Sequence, residues 1–460
     1  MPSPLPTAAA SLLAASPAAT GDPAASPVPA SDAVATAIAA PPVPASRPRV
    51  AIDLRALVPL PTGIGVYTRS LAIALARRGG MRYLGVAHRP PRGAGELAAA
   101  GIDLEAQRAP LGVLWQQLLL PRRLRRGDVD LLWSPLLTLP LDCPVPAVAT
   151  VHDLTVLLMP EAHRAKVRFS LLPFLAASLR RARRLVTLSR ATADDIAFHY
   201  PGSAGKVRVV YPGVDEEFRP GAAEEIAATR EALGAPRGYL LYAGTLEPRK
   251  NLGALLDAWE SLAADDPGFP PLVLAGPYGW GSRALAARIA RLAARDASGT
   301  GRGTGTFPGA GTFAGTGPTA PPPSAAPPPS AAPPPSAAPT ARLLALGHLD
   351  RPRLVRLFQA ASLFVYPSLY EGFGLPPAEA LACGVPVVAL DTTSLPEVVG
   401  DAGLLVAPGD TAALAAALGR LVADPGLTAE LAGRAAAQAA RFRWPRAAAE
   451  TEDVFREALG

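Results

Sequence analysis

The stretch Tyr366–Val388, YPSLYEGFGLPPAEALACGVPVV, decides how the second half of this 460-residue chain is built. From the end of an apolar run, the chain passes through the glycine-bearing loop 371–375 and reaches Pro376-Pro377. Proline is favoured in the first turn of a helix and glycine just after its end, so the pattern predicts a helix over 378–382. The apolar run 385–390 predicts a closing strand. The order is therefore strand, glycine loop, helix, strand.

The glycine loop and the start of the helix after it form a candidate anion site. Free backbone N–H groups and the positive end of the helix dipole face the loop, and this arrangement binds phosphate. Two carboxylates lie around it, Glu371 in the loop and Glu379, which we expect in the first helical turn. Either one can cap backbone donors, or it can accept hydrogen bonds from sugar hydroxyls. Two carboxylates around one glycine loop favour the second interpretation.

Seven residues separate Glu371 from Glu379, and EGFGLP and ACGVPVV flank them. This pattern resembles the E-x7-E motif of the retaining glycosyltransferases of family four. That family is α/β with the GT-B architecture, in which two Rossmann-like domains, each built on a doubly wound parallel sheet, face each other across a cleft. The resemblance implies that Glu379 accepts hydrogen bonds from the donor's ribose. It also implies that the donor sugar is held by Glu371 and by the backbone of Phe373, Gly374 and Leu375.

Composition and length exclude several classes of protein. With 49% hydrophobic and 18% charged residues, the chain can bury the cores of two or three domains. Its two cysteines, Cys143 and Cys383, supply neither a disulfide framework nor a four-ligand zinc site, and they fit a reducing cytoplasm. No apolar run reaches the roughly 18 residues of a membrane span, and the N-terminus lacks the basic segment of a signal peptide. We therefore expect a cytoplasmic protein.

The formal net charge is +6, and arginines concentrate in two clusters, 122–126 and 180–184. Such runs are typical of a solvated helical face. The functional alternative is attraction to anionic lipid headgroups, which predicts a peripheral position at the inner face of the plasma membrane. No nucleic-acid-binding motif accompanies the charge, so nucleic acid is not an expected partner. Asp128-Val129-Asp130 spells the DxD metal motif of a different glycosyltransferase architecture, but a polar turn is expected before the strand that follows, and no metal site is predicted.

A second glycine motif follows the first strand of the chain. Strand 49–53, the turn 62–65 and a helix over 66–78 again place free N–H groups at a helix start. A structural tight turn is the default interpretation of a lone GxG. In the family this loop lies against the donor phosphates and the acceptor, so the resemblance implies a binding role for Gly63 and Gly65.

One histidine lies where ligands bind in such folds. The apolar strand 145–151 ends at His152-Asp153, and side chains at the C-terminal ends of parallel strands point into the ligand crevice. A histidine there can donate to a developing oxyanion or to a hydroxyl, although a lone histidine is more often structural. In the family this pair lies beside the transferred sugar, which implies a catalytic role for His152, with Asp153 orienting it.

Two adjacent cations follow the first strand of the second half. After strand 239–243 comes GTLEPRKN, in which Arg249 and Lys250 precede a helix that Asn251 can cap. An arginine fork and a lysine point charge suit a diphosphate, whereas a surface basic pair is the default interpretation of any RK. The family's version of this segment implies that both cations hold the donor diphosphate. The resemblance also implies that the backbone at His348 passes the nucleotide base.

Strands alternate with helices in both halves, which predicts two doubly wound parallel sheets. We predict five segments: a disordered tail at 1–46, a Rossmann-like acceptor domain at 47–212, a Rossmann-like nucleotide-sugar domain at 213–441, a disordered Pro/Gly-rich insertion within it at 296–340, and a terminal helix at 442–460. The resemblance implies that this helix returns to the first domain.

The resemblance implies a retaining glycosyltransferase that moves a hexose, with mannose favoured, from a nucleotide-diphosphate sugar to a hydroxyl of a glycan or lipid-linked acceptor. GDP-mannose is the favoured donor. The residues assigned to catalysis are His152, Arg249, Lys250 and Glu371; the two cations would neutralise the departing diphosphate, so no metal or other cofactor is required. Three alternatives stay open: a UDP-sugar-dependent glycosyltransferase, a sugar-nucleotide epimerase of the same fold, and a non-catalytic sugar-nucleotide-binding protein.

Overall fold

The structure is a computed structural model that describes residues 47–58, 63–160, 165–299 and 342–460, without side-chain detail at 165–171 and 295–299. The predicted tail at 1–46 and most of the predicted insertion lie outside the described residues. The helix Arg283–Gly299 extends past the predicted start of the insertion at 296, and the bounds of the insertion remain a prediction. Alanine and arginine dominate that helix, and both are strong helix formers.

Each half of the chain builds one parallel sheet. The first has the order β3-β2-β1-β4-β5-β6-β7, with strands β1 (Arg49–Asp53), β2 (Arg82–Ala87), β3 (Ile102–Ala106), β4 (Leu131–Ser134), β5 (Ala147–Val151), β6 (Arg184–Thr187) and β7 (Val207–Val209). The second has the order β10-β9-β8-β11-β12-β13, with strands β8 (Leu240–Ala243), β9 (Leu272–Ala275), β10 (Leu343–Gly347), β11 (Leu363–Tyr366), β12 (Val387–Leu390) and β13 (Gly403–Val406). The strand order reverses beside β1 and beside β8, so both sheets are doubly wound, as predicted.

Helices connect these strands. In the first half they are α1 (Gly63–Arg78), α2 (Ala94–Ala99), α3 (Gly112–Leu114), α4 (Leu120–Leu124), α5 (Thr155–Leu158), α6 (Ala165–Arg181) and α7 (Arg190–His199). A π turn, Trp115–Leu119, joins α3 to α4, and 3-10 turns occupy Leu54–Leu57, Pro201–Lys206 and Pro248–Lys250. In the second half they are α8 (Ala223–Ala232), α9 (Leu252–Asp265), α10 (Arg283–Gly299), α11 (Arg351–Ala360), α12 (Leu375–Ala382), α13 (Leu395–Val399), α14 (Thr411–Ala423), α15 (Pro425–Ala439) and α16 (Trp444–Leu459).

Burial explains the apolar sequences of the strands. β5, AVATV, and β8, LLYA, are buried at every position, as expected for parallel strands that are covered on both faces. Aromatic rings fill the two cores: Trp133 lies 6.4 Å from Tyr67 in the first, and Phe358 lies 5.1 Å from Phe364 in the second. Each sheet therefore has a core of its own.

The chain passes between the two halves twice, and the two passages lie side by side. In the first passage the Val214 N–H donates to the Phe442 carbonyl at 3.0 Å. A Cβ atom on Gly213 would lie 2.2 Å from the Trp444 nitrogen, so the two segments touch. The second passage leads into α16, where Phe455 packs with its ring 5.8 Å from that of Trp133 on the first sheet. The domain boundary at 212/213 remains a prediction.

Candidate active site

The C-terminal edges of the two sheets carry most of the predicted site residues. His152 follows β5 in the first sheet, whereas Arg249-Lys250, His348 and Glu371 follow β8, β10 and β11 in the second. Parallel strands end at the same edge of a sheet, so the three second-sheet positions share one edge. The geometry below joins Arg249, Lys250 and Glu371 directly.

Lys250 is the centre of a buried polar cluster. Its Nζ donates to the Tyr366 hydroxyl at 2.9 Å and to Oε1 of Glu371. The Ser368 hydroxyl donates to the same carboxylate oxygen at 2.6 Å. Lys250 and Glu371 are both buried. The two oxygen acceptors therefore fix the ammonium group in position.

Arg249 lies beside this pair and closer to solvent. One guanidinium nitrogen, Nη2, donates to Oε1 of Glu247 at 3.0 Å, and the other, Nη1, lies 3.4 Å from Oε2 of Glu371. Nη1 also donates to the Tyr370 carbonyl. The Arg249 side chain is 18% exposed and that of Lys250 is 8% exposed. Arg249 is thus the cation that a ligand in the cleft reaches first.

The charges within this cluster balance one another. Arg249 and Lys250 are paired with Glu247 and Glu371. Burial by itself raises the pKa of Glu371, but the Lys250 and Arg249 charges outweigh burial and hold the pKa well below its ordinary value. Glu371 is therefore ionised at neutral pH, and the four side chains together carry no net charge. An anion that binds here meets two cations whose positions are already fixed.

Two residues with unusual backbone conformations lie beside the cluster. In the described part of the chain, Asn251 with φ 53° and Thr393 with φ 50° are the non-glycine residues in the left-handed region, which stores strain. Thr393 Oγ1 accepts from the Glu371 N–H at 3.1 Å, and the Ser394 hydroxyl donates to the Phe373 carbonyl at 2.7 Å. These bonds fix the glycine loop. Asn251 precedes α9 but makes no side-chain capping bond, so the predicted cap is wrong.

Helix α12 begins earlier than predicted. It spans Leu375–Ala382, and Gly374 precedes it in a left-handed conformation with φ 102°. Because Pro376 and Pro377 preset the φ that a first turn needs, the helix starts before them. Glu379 therefore lies in the second turn, and the prediction that placed it in the first turn is wrong. The first N–H groups of the helix are at the glycine loop, where an anion site was predicted.

Glu379 has a different environment from Glu371. Burial raises the pKa of the Glu379 carboxyl to about 7, with Arg351 opposing this shift and Asp215 and Glu217 adding to it. Arg351 itself donates to Asp215 and to Glu217, so two other carboxylates share its charge. The two carboxylates of the motif thus differ at neutral pH: Glu371 is ionised, and Glu379 is partly protonated.

The predicted glycine turn at 62–65 is helical wherever the structure describes it. Helix α1 begins at Gly63, and the Thr68 hydroxyl donates to the Ile64 carbonyl at 2.7 Å within it. Gly65 is buried and Gly63 is exposed. Glycine is a weak helix former, but packing of a buried helix face outweighs propensity. The turn prediction is wrong for these residues, although a helix N-terminus does lie at Gly63.

In the His152 ring, Nε2 is occupied as a donor, and Nδ1 is the nitrogen that can accept a hydrogen bond. Its Nε2 lies 2.8 Å from the Pro135 carbonyl oxygen. A carbonyl can only accept, so Nε2 carries the proton and Nδ1 of the neutral ring is an acceptor. Burial lowers the pKa of His152, against the smaller effects of Pro135 and Asp153, so the ring stays neutral at physiological pH. The prediction of a donating histidine is thereby corrected to an accepting one.

Asp153 does not orient His152. Its Oδ1 accepts from the N–H and the hydroxyl of Thr155 at 2.9 and 2.5 Å, at the start of α5. A short carboxylate just before a helix caps its free donors. The ring of His152 is oriented instead by Pro135 and by the edge-on ring of Tyr67 at 4.9 Å.

The two domains touch where the glycine loop meets the histidine. A Cβ atom on Gly372 would lie 1.8 Å from the His152 carbonyl oxygen and 3.1 Å from the Cβ of Asp153. Nearby, the Tyr370 hydroxyl donates to Asp195 on the first domain. Glycine is required at 372 by this close approach between backbones. The contact brings the loop that carries Glu371 against the segment that carries His152.

His348 is exposed and follows β10 at the same sheet edge. Since β9 lies between β10 and β8, His348 and Arg249 are separated by two strand spacings, which is about 10 Å. The role of His348 beside a nucleotide base stays a prediction.

Comparison with known proteins gives the family. A model described as Glycosyltransferase Family 4 matches residues 61–218, and one described as Glycosyl transferases group 1 matches residues 314–424. The O-antigen chain mannosyltransferase B of Escherichia coli is 32% identical over 314 residues, which cover 67% of this chain and 70% of that protein. The chain belongs to glycosyltransferase family 4.

Other relatives of this family 4 glycosyltransferase differ in substrate. The D-inositol 3-phosphate glycosyltransferase of Streptomyces bingchenggensis is 35% identical over 294 residues, which cover 60% of this chain and 53% of that protein. Among solved structures, Anabaena HepE in complex with UDP and glucose has a TM-score of 0.63 at 21% identity and covers 89% of this chain and 99% of its own. That similarity shows the GT-B fold alone.

Sequence analysis of this family 4 glycosyltransferase missed the residues that hold the site together, which are Glu247, Tyr366, Ser368, Gly372 and Thr393. Two signals were available. Tyr366 is a polar residue at the end of a buried strand, and Glu247 lies within GTLEPRKN, two residues before Arg249 and three before the buried Lys250. The distant pairing of Gly372 with His152 leaves no local pattern, because it depends on how the domains meet.

The DxD aspartates of the family 4 glycosyltransferase precede β4 and bind arginines. Asp128 accepts from Arg123 at 2.6 Å and from Arg49 at 2.8 Å, and Asp130 accepts from the Arg49 N–H at 2.7 Å. In the second arginine cluster, Arg184 donates to Glu457 at 2.9 Å.

Among the described residues, no group of three His, Cys, Asp or Glu side chains is arranged to bind a metal. Within the same ranges, no helix combines the length and apolar character needed to span a bilayer.

Proposed function

We propose that this family 4 glycosyltransferase transfers a hexose, with mannose favoured, from GDP-mannose to a hydroxyl of a glycan or lipid-linked acceptor, with retention of the anomeric configuration. The observation that carries the proposal is the fixed cluster of Arg249, Lys250 and Glu371 in contact range of the His152 segment across the domain interface. The mannosyltransferase names of relatives from Escherichia coli support mannose as the sugar.

The cations act on the leaving group. When the bond between sugar and nucleotide breaks, negative charge grows on the diphosphate, and cations that are already in position stabilise it without reorganising. Arg249 supplies a planar fork near the cleft, and Lys250 supplies a charge that Tyr366 and Glu371 hold in place. The N-terminus of α12 adds its dipole. These groups provide the electrostatic stabilisation that the proposed reaction needs.

The remaining residues position the two substrates. Glu371, with the backbone of Phe373, Gly374 and Leu375, holds the donor sugar, and Glu379 accepts from the ribose hydroxyls. Nδ1 of neutral His152 accepts from a hydroxyl of the sugar or the acceptor. Gly63 and Gly65 form the start of α1, whose positive N-terminal end attracts the phosphates, and His348 lies beside the base.

A donor panel tests this proposal. Purified protein is given GDP-mannose, UDP-glucose and other sugar nucleotides, with extracted lipid-linked oligosaccharide as acceptor, and nucleotide release is measured. We expect release from GDP-mannose that depends on the acceptor, and an α-anomeric product by nuclear magnetic resonance, since GDP-mannose is α-linked. Release only from UDP-sugars favours the alternative that the HepE complex with UDP and glucose suggests. Isomerisation without acceptor identifies an epimerase, and tight binding without turnover identifies a binding protein.

We also propose a cytoplasmic enzyme that associates peripherally with the anionic inner face of the plasma membrane. The exposed arginines of the first cluster, Arg122, Arg125 and Arg126, support this position, because each basic side chain near such a surface is attracted by about 1 kcal/mol. Sedimentation with vesicles that contain anionic lipid, compared with vesicles of phosphatidylcholine alone, tests it.

Donor affinity should fall at acidic pH. The Glu379 carboxyl must be ionised to accept from two ribose hydroxyls, and its pKa of about 7 lies inside the working range. We expect the Kd for GDP-mannose to rise about tenfold between pH 8 and pH 6, since one proton competes with binding. Titration calorimetry across this range measures the change.

The variant Glu379→Gln provides the control for this pH effect. It should bind GDP-mannose weakly at every pH, so its Kd should be flat between pH 6 and pH 8. Because the folded pKa lies above the ordinary 4.5, ionisation of Glu379 opposes folding. The free energy of unfolding of the wild type should therefore decline as pH rises from 4.5 toward 7, and this decline should be smaller in Glu379→Gln. A pH-dependent Kd in the variant assigns the titration to another group.

A further inference from the structure

A cationic pocket lies at the outer part of the C-terminal edge of the first sheet, away from the cluster at Lys250. It has a volume of about 480 Å³, and its lining residues follow β2 and β3: His88, Arg89, Pro90, Arg108, Ala109 and Pro110. Its place in the sheet differs from that of His152, which follows β5. The pocket is therefore additional to the site described above.

The two guanidinium groups and the histidine Nδ1 of this pocket have no hydrogen-bond or ion-pair partners among the described residues. Neither Arg89 nor Arg108 forms an ion pair with a described carboxylate, and both are exposed. Nδ1 of His88 is buried without a hydrogen-bond partner in the described part of the chain. The nearby Asp53 is already bound by Arg55. Two guanidinium groups beside a buried ring nitrogen suit a phosphate group. Its oxygens accept hydrogen bonds from arginine, and a phosphate hydroxyl can donate a hydrogen bond to the histidine nitrogen.

An apolar stripe begins at the rim of this pocket. Leu111, Leu114 and Leu118 are 61%, 46% and 54% exposed, whereas Trp115 and Leu120 in the same segment are buried. Leu111 lies in extended backbone just before α3, whereas Leu114 and Leu118, four residues apart, share one face of the helical segment that follows. Leu141, also exposed, lies beside the stripe, because its N–H donates to Gln117 at 2.9 Å. Exposed apolar side chains grouped in this way are typical of a binding surface.

The pocket and the stripe are continuous. Pro110 lines the pocket and Leu111 begins the stripe directly after it. Gly112, at the start of α3, lies against the pocket histidine: a Cβ atom on it would be 3.3 Å from Cε1 of His88. A ligand that carries a phosphate group and an apolar chain can therefore occupy both surfaces at once.

We propose that this combined surface binds a phosphate group attached to a lipid chain, so that the acceptor of the reaction is a lipid phosphate or a sugar linked to one. This inference rests on the proposed function. β2 and β5 are three strand spacings apart, which puts the pocket about 14 Å from His152 along the sheet edge. The phosphate is thus held away from the reacting hydroxyl, and the space between them accommodates the sugar part of the acceptor.

Binding of decyl phosphate, kept below its micelle concentration, tests the inference on the full-length protein. Inorganic phosphate and decyl glucoside are the comparison probes, one without the chain and one without the charge. We expect decyl phosphate to bind at least tenfold more tightly than either probe. The double variant R89Q/R108Q should lose at least tenfold in affinity for decyl phosphate and for inorganic phosphate. The double variant L114Q/L118Q should lose affinity for decyl phosphate alone.

Matched substitutions elsewhere provide the controls. R77Q removes an exposed arginine at the far end of α1, and F198Q removes an apolar side chain that is 81% exposed on α7. Neither should change the affinity for any probe. If decyl glucoside binds as tightly as decyl phosphate, the proposed phosphate site is wrong. If inorganic phosphate binds as tightly as decyl phosphate, the proposed binding of the lipid chain is wrong. Affinity that is unchanged in R89Q/R108Q overturns the location.

The measurement separates this inference from the proposed function. Probe binding needs neither a sugar nucleotide nor turnover, so a protein that fails the donor panel can still bind decyl phosphate through Arg89 and Arg108. Conversely, a protein that is active as a transferase but does not bind decyl phosphate contradicts only the proposed lipid-phosphate site. The two proposals therefore fail by different observations.

Discussion

Lys250→Met should lower kcat by about 10²- to 10³-fold, which is the usual loss when one preorganised stabilising group is removed. Methionine has nearly the length of lysine and fills the same space without the charge. The departing diphosphate then loses the cation that Tyr366 and Glu371 hold in position. Steady-state release of nucleotide from the donor measures the change. A wild-type rate in this variant removes the diphosphate role of Lys250.

The burial of Lys250 means that this variant also loses stability. Glu371 keeps its charge inside the protein with one partner fewer, and breaking a buried pair in this way costs about 3–5 kcal/mol of the free energy of unfolding. The double variant Lys250→Met/Glu371→Gln removes both charges and should recover most of that stability. Its turnover should stay low. If turnover recovers together with stability, the loss in the single variant came from folding.

Gly372→Ala should reduce turnover by about a hundredfold, the effect expected when reacting groups are displaced by about an ångström. The added methyl group would lie 1.8 Å from the His152 carbonyl oxygen, which belongs to the other domain. Alanine is compatible with the backbone at this position, since no left-handed φ is required. The domains must therefore separate locally, and Glu371 moves away from His152. Turnover at saturating donor and acceptor measures the effect.

A second measurement shows where the Gly372→Ala effect arises. The circular dichroism spectrum of the variant should be unchanged, because both domains stay folded and only the contact between them is disturbed. Gly253→Ala is the matched control, because a Cβ atom on Gly253 would have no atom of another residue within 4 Å and so would disturb no contact between the domains. That variant should keep wild-type turnover. A Gly372→Ala protein with wild-type turnover contradicts the contact between the two domains.

Local patterns predicted the fold well because each strand and helix carries its own signal. Buried parallel strands read as apolar runs, and the prolines and glycine around α12 mark its two ends. The error at Glu379 was one of register: the helix begins at Leu375, and the prolines belong to its first turn. The error at Gly65 has the opposite origin, since packing of Tyr67 and Leu71 extends α1 through a residue of low helix propensity.

The site was predicted by residue type but not by arrangement. The motif identified Arg249, Lys250 and Glu371, yet their pairing across more than a hundred residues depends on the order of strands β8 and β11. The tautomer of His152 depends on the Pro135 carbonyl, which follows another strand. Likewise, the pocket at His88 and Arg108 combines the ends of two neighbouring strands. Such contacts follow from topology and from side-chain geometry, which a linear pattern does not contain.

The neighbouring passages at Gly213 and Trp444 limit how the cleft can open. A single tether lets two bodies swivel in any direction, whereas two tethers in contact leave one easy axis, which runs through both of them. A rotation about that axis would displace atoms in proportion to their distance from it, so it would open the contact between Gly372 and His152 while Gly213 and Trp444 stay in contact. Substrates can thus enter and products can leave by a hinge motion in which neither sheet has to deform.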